Sequence, residues 1–303
     1  MESHAESAIR TLSLTKTYKG VDAVQGLSLA VPRGAVYGFL GPNGAGKTTT
    51  IRILLGFIRA TSGSATINGH DCWTQGVRAR SGIGYLVPAE ALYPEMSGLA
   101  ILEHAATLSG VAPVFRTQAL EALALQPEAL RRSLRTYSKG MRQKIALVAA
   151  MQHDPEILIL DEPTDGLDPL VQREFEQLLR DRQRAGRTIF MSSHDLAEVE
   201  RLCDRVAVVR GGRLVAEESI GDMKRHHRRT GTLTFADTPP SLDGIPGVRE
   251  LSRRGMQVDV SIEGEAGPLL AAMRDASVVD VHLPPARLED IFMAFYGNDE
   301  VAP

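Results

Sequence analysis

The sequence contains Gly41-Pro42-Asn43-Gly44-Ala45-Gly46-Lys47-Thr48, which fits the pattern G-x-x-x-x-G-K-[ST] of phosphate-binding loops. A triphosphate is a dense anion, and the glycines permit backbone conformations in which several N–H groups point inward around it. Lys47 supplies a positive charge for the β- and γ-phosphates, and the Thr48 hydroxyl is suited to Mg²⁺. With the next threonine included, the predicted nucleotide-binding residues of this stretch are Gly41, Pro42, Asn43, Gly44, Ala45, Gly46, Lys47, Thr48 and Thr49.

The residues on either side of this loop have the order that phosphate binding requires. Residues 35–40 read as a buried strand, and residues 49–55 read as a helix. A helix that begins at the loop presents free N–H groups and the positive end of its dipole to an anion. The alternative is a glycine-rich turn without a ligand, and the order of strand, loop and helix counts against it.

A second strand predicts an acidic element beside the loop. Residues 156–160 form an apolar run, as expected for a parallel strand that is buried on both faces. The strand delivers Asp161 and Glu162 to the carboxyl edge of the sheet, where doubly wound folds bind ligands. Asp161 is placed to hold Mg²⁺, and Glu162 is placed to act as general base on the attacking water. An ordinary turn at the end of a strand is the alternative.

A second motif, Ser138-Lys139-Gly140-Met141-Arg142-Gln143, narrows the class. It resembles the signature motif of the ATP-binding cassette (ABC) family, which other phosphate-loop families lack. The resemblance covers about residues 8–220, with every motif in the family's order. Residues 41–48 resemble the Walker A loop, 158–162 the Walker B strand, 166–168 the D-loop and 192–195 the segment that carries the switch histidine.

The resemblance implies roles for further residues. Tyr18 is similar to the aromatic residue that stacks on adenine, and Val24 lies near it in sequence. Two such domains would pair head to tail, so that Ser138 and the backbone of Gly140 contact the γ-phosphate of an ATP held by the partner. His194 would contact the γ-phosphate and orient water together with the acidic residue of Walker B.

One motif departs from the family's pattern. The family has a glutamine in the loop that connects nucleotide state to the membrane partner, and Pro88 stands at that position within residues 84–94. Proline has no side-chain donor or acceptor and cannot bind Mg²⁺ or water. Glu90, two positions later, is a candidate replacement that the alignment alone does not establish.

Length and composition agree with a globular protein of one large and one small domain. The chain has 303 residues, 43% of them hydrophobic and 23% charged, and a net charge of −3 that gives no general nucleic-acid signal. No run approaches 18 apolar residues, and the first residues lack a secretory pattern. We expect Cys72 and Cys203 to be unpaired thiols in a reducing cytoplasm.

The predicted fold class is α/β. It comprises a P-loop NTPase core, an antiparallel β subdomain from residues 8–34 and a helical signature subdomain, with a small C-terminal α+β domain. The predicted boundaries are 1–220 for the ATP-binding domain, about 86–150 for its helical subdomain and 221–303 for the small domain. A helix is also expected over Leu170–Ala185, and strands over Thr188–Met191 and Val206–Val209.

The C-terminal residues have a different character. Residues 224–229 form a basic cluster, which could bind lipid headgroups or nucleic acid but is more typical of a solvated helix end. Strands are predicted over 232–235 and 256–260, and helices over 268–275 and 287–297. This arrangement resembles the small domain on cassette subunits of bacterial drug, antibiotic and polysaccharide exporters.

Three functions remain open at this stage. The first is the ATPase subunit of an exporter at the inner face of the cell membrane, working as a homodimer or with a second ABC subunit, and with the transmembrane permease on a separate chain. The second is a soluble non-transport ABC ATPase that acts on the ribosome or DNA. The third is a nucleotide-binding regulator with little or no ATP turnover, which is suggested by Pro88 at the position where the family has a glutamine.

Overall fold

The computed structural model describes residues 7–226, 229–274 and 276–284. Between Glu217 and Glu218 this part of the chain divides into two compact units. The strands of the first unit are β1 (Ser7–Tyr18), β2 (Val21–Pro32), β3 (Val36–Leu40), β4 (Ser62–Ile67), β5 (His70–Asp71), β6 (Ile83–Tyr85), β7 (Ile157–Asp161), β8 (Thr188–Ser193), β9 (Arg205–Arg210) and β10 (Arg213–Ser219), whose last two residues fall in the second unit. Its helices are α1 (Lys47–Leu54), α2 (Gly76–Ala79), α3 (Gly98–Ser109), α4 (Arg116–Ala122), α5 (Pro127–Leu130), α6 (Lys139–Met151), α7 (Pro169–Arg184) and α8 (Leu196–Leu202).

A six-stranded sheet forms the centre of the first unit, in the order β10-β9-β3-β8-β7-β6. The pairs β3–β8, β3–β9, β7–β8 and β6–β7 are parallel. Strands β3 and β8 are buried along their whole length, as expected for central parallel strands covered on both faces, and the polar residues of β8 lie at its two ends. Leu40 pairs with Ser193, and Asp161 pairs with Ser192, so the three central strands end together at one edge.

An antiparallel sheet in the order β2-β1-β4-β5 accompanies this core. Buried residues of β1 and β2, such as Leu14 and Leu27, share one hydrophobic cluster with Phe39 of β3 and Ile51 of α1. The shared cluster fixes the β1–β2 hairpin, and hence Tyr18 at its turn, relative to the loop between β3 and α1.

The segment between β6 and β7 is helical and ends in α6, which carries the signature motif. Ser138 caps α6 by accepting a hydrogen bond from the Met141 N–H at 3.2 Å. Asp168 caps α7 in the same way through the N–H of Val171, at 3.0 Å. Ser138, the first residue of the signature motif, therefore sets the start of α6. Asp168, the last residue of the segment 166–168, sets the start of α7.

The second unit is an antiparallel sheet with one packed face. It consists of α9 (Ile220–His226), β11 (Arg229–Phe235), β12 (Val248–Arg254), β13 (Gln257–Ile262), α10 (Gly267–Ala272) and β14 (Val278–His282), with strand order β12-β13-β11-β14. Leu233, Val258 and Val260 alternate onto one face, where they form a small core with Leu269 of α10.

The predicted α/β fold class is confirmed, with a parallel core sheet, an antiparallel sheet and a helical segment in the first unit. Some element bounds were wrong. Helix α1 begins at Lys47 and not at Thr49, because the Gly46 carbonyl already accepts the Thr50 N–H. Strand β7 extends to Asp161, and α10 ends at Ala272. The helix predicted at 287–297 and most of the basic cluster at 224–229 lie outside the described side chains.

Close packing around Gly84 generates a stability prediction. A Cβ at this position would lie 2.1 Å from the backbone oxygen of Ala150 and 2.7 Å from Cγ of Pro155. We expect Gly84→Ala to lower the free energy of unfolding by about 3 kcal/mol, because the crowding involves backbone that cannot move away. Gly267→Ala is the control, since no atom lies within 4 Å of its added Cβ. Denaturant unfolding followed by circular dichroism measures both variants, and equal midpoints would contradict the packing described for β6.

Candidate functional site

A cavity of about 360 Å³ lies at the carboxyl edge of the parallel sheet. Its walls come from the β1–β2 hairpin, from the loop between β3 and α1, and from the end of β7. The lining residues are Tyr18, Ala23, Pro42, Asn43, Gly44, Gly46, Lys47, Thr48, Thr49 and Glu162. The predicted phosphate loop and the predicted general base therefore border the same space.

The glycines of the loop are required by its backbone geometry. Gly44 and Gly46 have φ angles of 81° and 100°, in the left-handed region that side chains disfavour. A Cβ on Gly46 would also lie 2.4 Å from the carbonyl oxygen of Ala23, and one on Gly41 would lie 2.3 Å from that of Val209. The loop thus fits closely against β2 and β9 while leaving the start of α1 facing the cavity.

Lys47 carries the positive charge of the cavity. Its side chain is only 6% exposed, and its Nζ donates to the backbone oxygens of Gly41 at 2.5 Å and Pro42 at 3.3 Å. The same Nζ lies 3.2 Å from Oε1 of Glu162. The ammonium is therefore held between the carbonyl oxygens of the phosphate loop and the carboxylate of Glu162.

Two oxygen ligands suited to Mg²⁺ meet beside the loop. The Thr48 hydroxyl donates to Oδ2 of Asp161 at 2.9 Å, and Oδ1 of Asp161 accepts from the Ser192 hydroxyl. Among the described residues there is no group of three His, Cys, Asp or Glu that could hold a metal ion. This donor set fits Mg²⁺, which commonly takes one or two protein oxygens and completes its shell with phosphate and water.

Glu162 adopts a strained backbone conformation with φ of 48°. Its N–H is held by the backbone oxygen and the hydroxyl of Ser192, at 3.3 and 3.1 Å. This conformation turns the carboxylate toward the cavity, where Oε2 lies 2.7 Å from Nδ1 of His194. His194 is 60% exposed, so one face of the pair is open to solvent.

The two residues predicted to lie near adenine differ in position. Tyr18 lines the cavity and is 44% exposed, and the Lys16 ammonium lies 5.0 Å from the ring centroid. Val24 is buried in the hydrophobic core and does not line the cavity. Ala23, which the sequence analysis missed, lines the wall instead. The alternation of buried and open positions in β2 is the signal that distinguishes the two residues.

The signature residues lie apart from this cavity. Ser138 and Gly140 are not among the lining residues. A Cβ on Gly140 would lie 2.5 Å from the backbone oxygen of Gly166, so the start of α6 lies against the segment after β7. Lys139 forms an ion pair with Asp165 at 2.6 Å, and this hydrogen bond is the main cause of the raised pKa of Lys139.

Gln143 supports the site, although sequence reasoning gave it no role of its own. It is buried in α6, and its Nε2 donates to the backbone oxygen of Pro163 at 3.0 Å. This bond ties the signature helix to the residue that follows Glu162. A buried polar side chain on an otherwise apolar helix face is the signal that marks such a residue.

The loop that departs from the family's pattern contains a short 3₁₀ turn. Pro88 precedes this turn, which covers Ala89–Ala91. Glu90 is exposed and does not line the cavity, and its charge contributes to the raised pKa of Lys139. Neither residue is among the hydrogen-bond partners that Thr48 and Asp161 have in the described part of the chain.

Comparison with known proteins identifies the family. A sequence model described as ABC transporter matches residues 24–165. The uncharacterized ABC transporter ATP-binding protein YhcH of Bacillus subtilis is 32% identical over 298 residues, which cover 97% of this chain and 97% of that protein. The chain belongs to the ABC transporter ATP-binding proteins. The resemblance noted from the signature and Walker motifs is confirmed, and as a member of this family the protein is an ATPase.

Two further relatives match nearly the whole chain. A fluoroquinolones export ATP-binding protein of Mycobacterium tuberculosis is 33% identical, over 96% of this chain and 93% of that protein. A daunorubicin resistance ATP-binding protein of Streptomyces coeruleorubidus is also 33% identical, over 97% of this chain and 98% of that protein.

Solved structures agree with the fold of the ABC ATPase. An ATP-binding subunit of an ABC transporter is 29% identical and covers 72% of this chain and 92% of its own, with a TM-score of 0.67. A dimeric cassette in a post-hydrolysis state with ADP and Pi has a TM-score of 0.64 at 22% identity, over 70% of this chain and 98% of its own. Within residues 7–226, 229–274 and 276–284, no helix is long and apolar enough to cross a bilayer.

The contacts of Lys47 generate a binding prediction. We expect Lys47→Ala to weaken ATP binding about 10- to 100-fold, because a charged hydrogen-bonding group is lost from the phosphate loop. Lys144→Ala is the matched control, since its partly buried ammonium lies 3.8 Å from Asp168 and outside the cavity. Titration with a fluorescent ATP analogue measures both affinities. An unchanged affinity in Lys47→Ala would contradict the assignment of the loop.

Proposed function

We propose that this ABC ATPase powers an exporter whose transmembrane permease is a separate chain. The observation that carries the proposal is the convergence of Lys47, Asp161, Glu162 and His194 at one edge of the parallel sheet. Relatives that match the chain over both of its units include proteins named for fluoroquinolone export and daunorubicin resistance, which supports export over import. In this role the ATPase would act at the inner face of the cell membrane.

Phosphate binding is assigned to the loop and the start of α1. Lys47 neutralises phosphate charge, and the backbone N–H groups of the loop donate to phosphate oxygens. Thr48 and Asp161 are proposed to hold Mg²⁺, since their oxygens lie 2.9 Å apart. When bound, the metal polarises the terminal phosphate and reduces its negative charge. Tyr18, exposed on the cavity wall, is proposed to stack on adenine.

Hydrolysis is assigned to the carboxylate of Glu162 and the imidazole of His194. Glu162 takes a proton from the attacking water, and His194 orients the carboxylate through the 2.7 Å contact between Nδ1 and Oε2. The carboxylate also pairs with Lys47, so phosphate that binds at the loop competes for the same ammonium. Binding of the substrate thereby frees Glu162 to face the water.

The signature is assigned to a second chain. Ser138 and Gly140 lie outside the cavity of their own chain, so they are proposed to contact nucleotide held by a partner cassette. The N-terminal end of α6 suits that role, because it presents N–H groups and a positive dipole to an anion. The partner is a second copy of this chain or another ABC subunit. No specific nucleic acid is expected as a partner.

Contact with the permease is assigned to the surface around the loop at 84–94. Val87, Tyr93 and Leu99 are exposed, and the exposed ring of Phe57 packs edge-on against Tyr85 at 5.7 Å. Exposed apolar side chains grouped around one loop are typical of a protein contact. This loop also follows β6, the neighbour of the strand that carries Asp161, so a contact there can respond to the nucleotide site.

The domain assignment belongs to the same proposal. Residues 1–220 would form the ATP-binding domain, with about 86–150 as its helical subdomain, and residues 221–303 would form an accessory domain. The division of the described chain between Glu217 and Glu218 and the separate core around Leu233 support it.

The role of Glu162 generates a kinetic prediction. Glu162→Gln should reduce Mg²⁺-dependent phosphate release about 100-fold or more while retaining ATP, because the amide cannot accept the proton from water. We expect the variant to accumulate as an ATP-bound dimer. Phosphate release, together with size-exclusion chromatography in ATP, measures both effects. Glu174→Gln, at an exposed position on α7, is the control, and parental turnover in Glu162→Gln would remove Glu162 from its assigned role.

The permease proposal generates a purification prediction. Tagged Glu162→Gln protein, recovered with ATP from gently solubilised membranes, should bring with it a membrane protein of several spans. The added substitution Tyr93→Asp should release that partner, because it places a charge in the apolar contact. Val114→Asp, at another exposed apolar position, should retain it. Recovery of ribosomes or DNA in place of a membrane protein would instead favour the non-transport alternative.

A further inference from the structure

Glu198 is a buried acid that the proposed reaction leaves without a role. It is 2% exposed and lies in the first turn of α8, four residues after His194. Helix α8 packs tightly on β3, since a Cβ on Gly38 would lie 2.9 Å from Sγ of Cys203 and 3.0 Å from Cγ1 of Val199. The carboxyl group is thus carried by a helix that packs closely against the central sheet.

One oxygen of Glu198 holds the residue that precedes the switch histidine. Its Oε2 accepts a hydrogen bond from the Ser193 hydroxyl at 2.5 Å, and the same hydroxyl accepts from the Asp195 N–H at 3.0 Å. The backbone oxygen of Ser193 accepts from the N–H of Gly41 at 3.3 Å. Glu198 is therefore connected through one serine to both sides of His194 and to the first residue of the phosphate loop.

The Glu198 carboxyl also interacts with the segment after Glu162. Oε1 is buried without a hydrogen-bond partner of good geometry among the described residues. Burial raises the pKa of Glu198, and interactions with the Ser193 and Thr164 hydroxyls oppose that rise. Thr164 lies two residues after Glu162, so the Glu198 carboxyl interacts both with the serine before His194 and with the segment that follows Glu162.

We propose that Glu198 is a positioning residue for ATP hydrolysis, whose buried carboxyl holds Ser193 and thereby fixes His194 against the segment from Glu162 to Thr164. This inference rests on the proposed function, in which Glu162 and His194 act together on the attacking water. Their contact of 2.7 Å is between an exposed imidazole and a carboxylate that Lys47 also attracts. The backbone that carries the imidazole therefore needs a support outside this contact, and the hydrogen bond between Glu198 and Ser193 provides it.

Steady-state kinetics of the full chain tests the proposal. Glu198→Ala should lower kcat roughly 10- to 100-fold while KM for ATP changes little, because the phosphate loop is intact but the histidine is misplaced. Glu198→Gln should restore kcat to within about twofold of the parent, since an amide keeps the shape and offers both a donor and an acceptor. In a His194→Ala background, Glu198→Ala should cause no further loss, because the two residues act as one unit.

The proposal would be overturned if Glu198→Ala lowered kcat by the same factor in the parent and in the His194→Ala background. It would also be overturned if Glu198→Ala raised KM by the factor expected for kcat, or if Glu198→Ala kept the parental kcat. If Glu198→Ala does not fold, Ser193→Ala removes the same link from its other end and is held to the same expectations in both backgrounds. A parent protein without Mg²⁺-dependent turnover would contradict the proposed function itself. Turnover in the parent that disappears in Glu162→Gln but survives in every Glu198 variant would overturn the positioning role alone.

Discussion

The parallel pairing of β3, β7 and β8 is the constraint on which the site depends. The register aligns Leu40 with Ser193 and Asp161 with Ser192, so the residues that follow each strand meet at one edge. Each strand is apolar because both of its faces are covered, and each can carry its polar groups only where it ends. The phosphate loop, the two acidic residues and the histidine are thus brought together by backbone hydrogen bonds in the sheet, and the contacts among their side chains form at the edge that this pairing creates. A slip of one residue in either pairing would displace the whole set.

The strain at Glu162 shows how closely its surroundings specify the site. A left-handed conformation at a non-glycine residue costs on the order of 1–3 kcal/mol and persists only where neighbouring groups hold it. Ser192 holds the Glu162 N–H through two oxygens, and Gln143 holds the next carbonyl through the signature helix. Proline at position 163 restricts the chain further. The conformation directs the carboxylate away from the strand axis and toward Lys47 and His194, which an extended residue at the end of β7 would not reach.

Local sequence patterns predicted the fold and most of the candidate site, because most of these features depend on short runs of neighbouring residues. The loop at 41–48 and the acidic pair at 161–162 each depend on a short run beside a strand, so sequence alone places them. Packing between residues far apart in sequence determines the positions that local patterns did not predict. Ala23 lines the cavity and Val24 is buried because β2 packs on the core through alternate side chains, and either residue satisfies the strand pattern. The position of Glu198 behind His194 depends on how α8 packs against β3, which no motif records.

Under the proposed function, the reaction depends on association, because the signature does not line the cavity that the phosphate loop borders. In one chain the start of α6 contacts Gly166 and not the cavity around Lys47, so each chain would hold one half of two separate sites. Under the proposed function, ATP supplies the negative charge that both halves attract, and it joins two chains more strongly than ADP, which lacks the γ-phosphate. In this proposal, hydrolysis removes the group that the N-terminus of α6 would bind. The energy of the reaction would thereby be expressed as a change in how two cassettes associate, and a permease that contacts both cassettes would respond to that change.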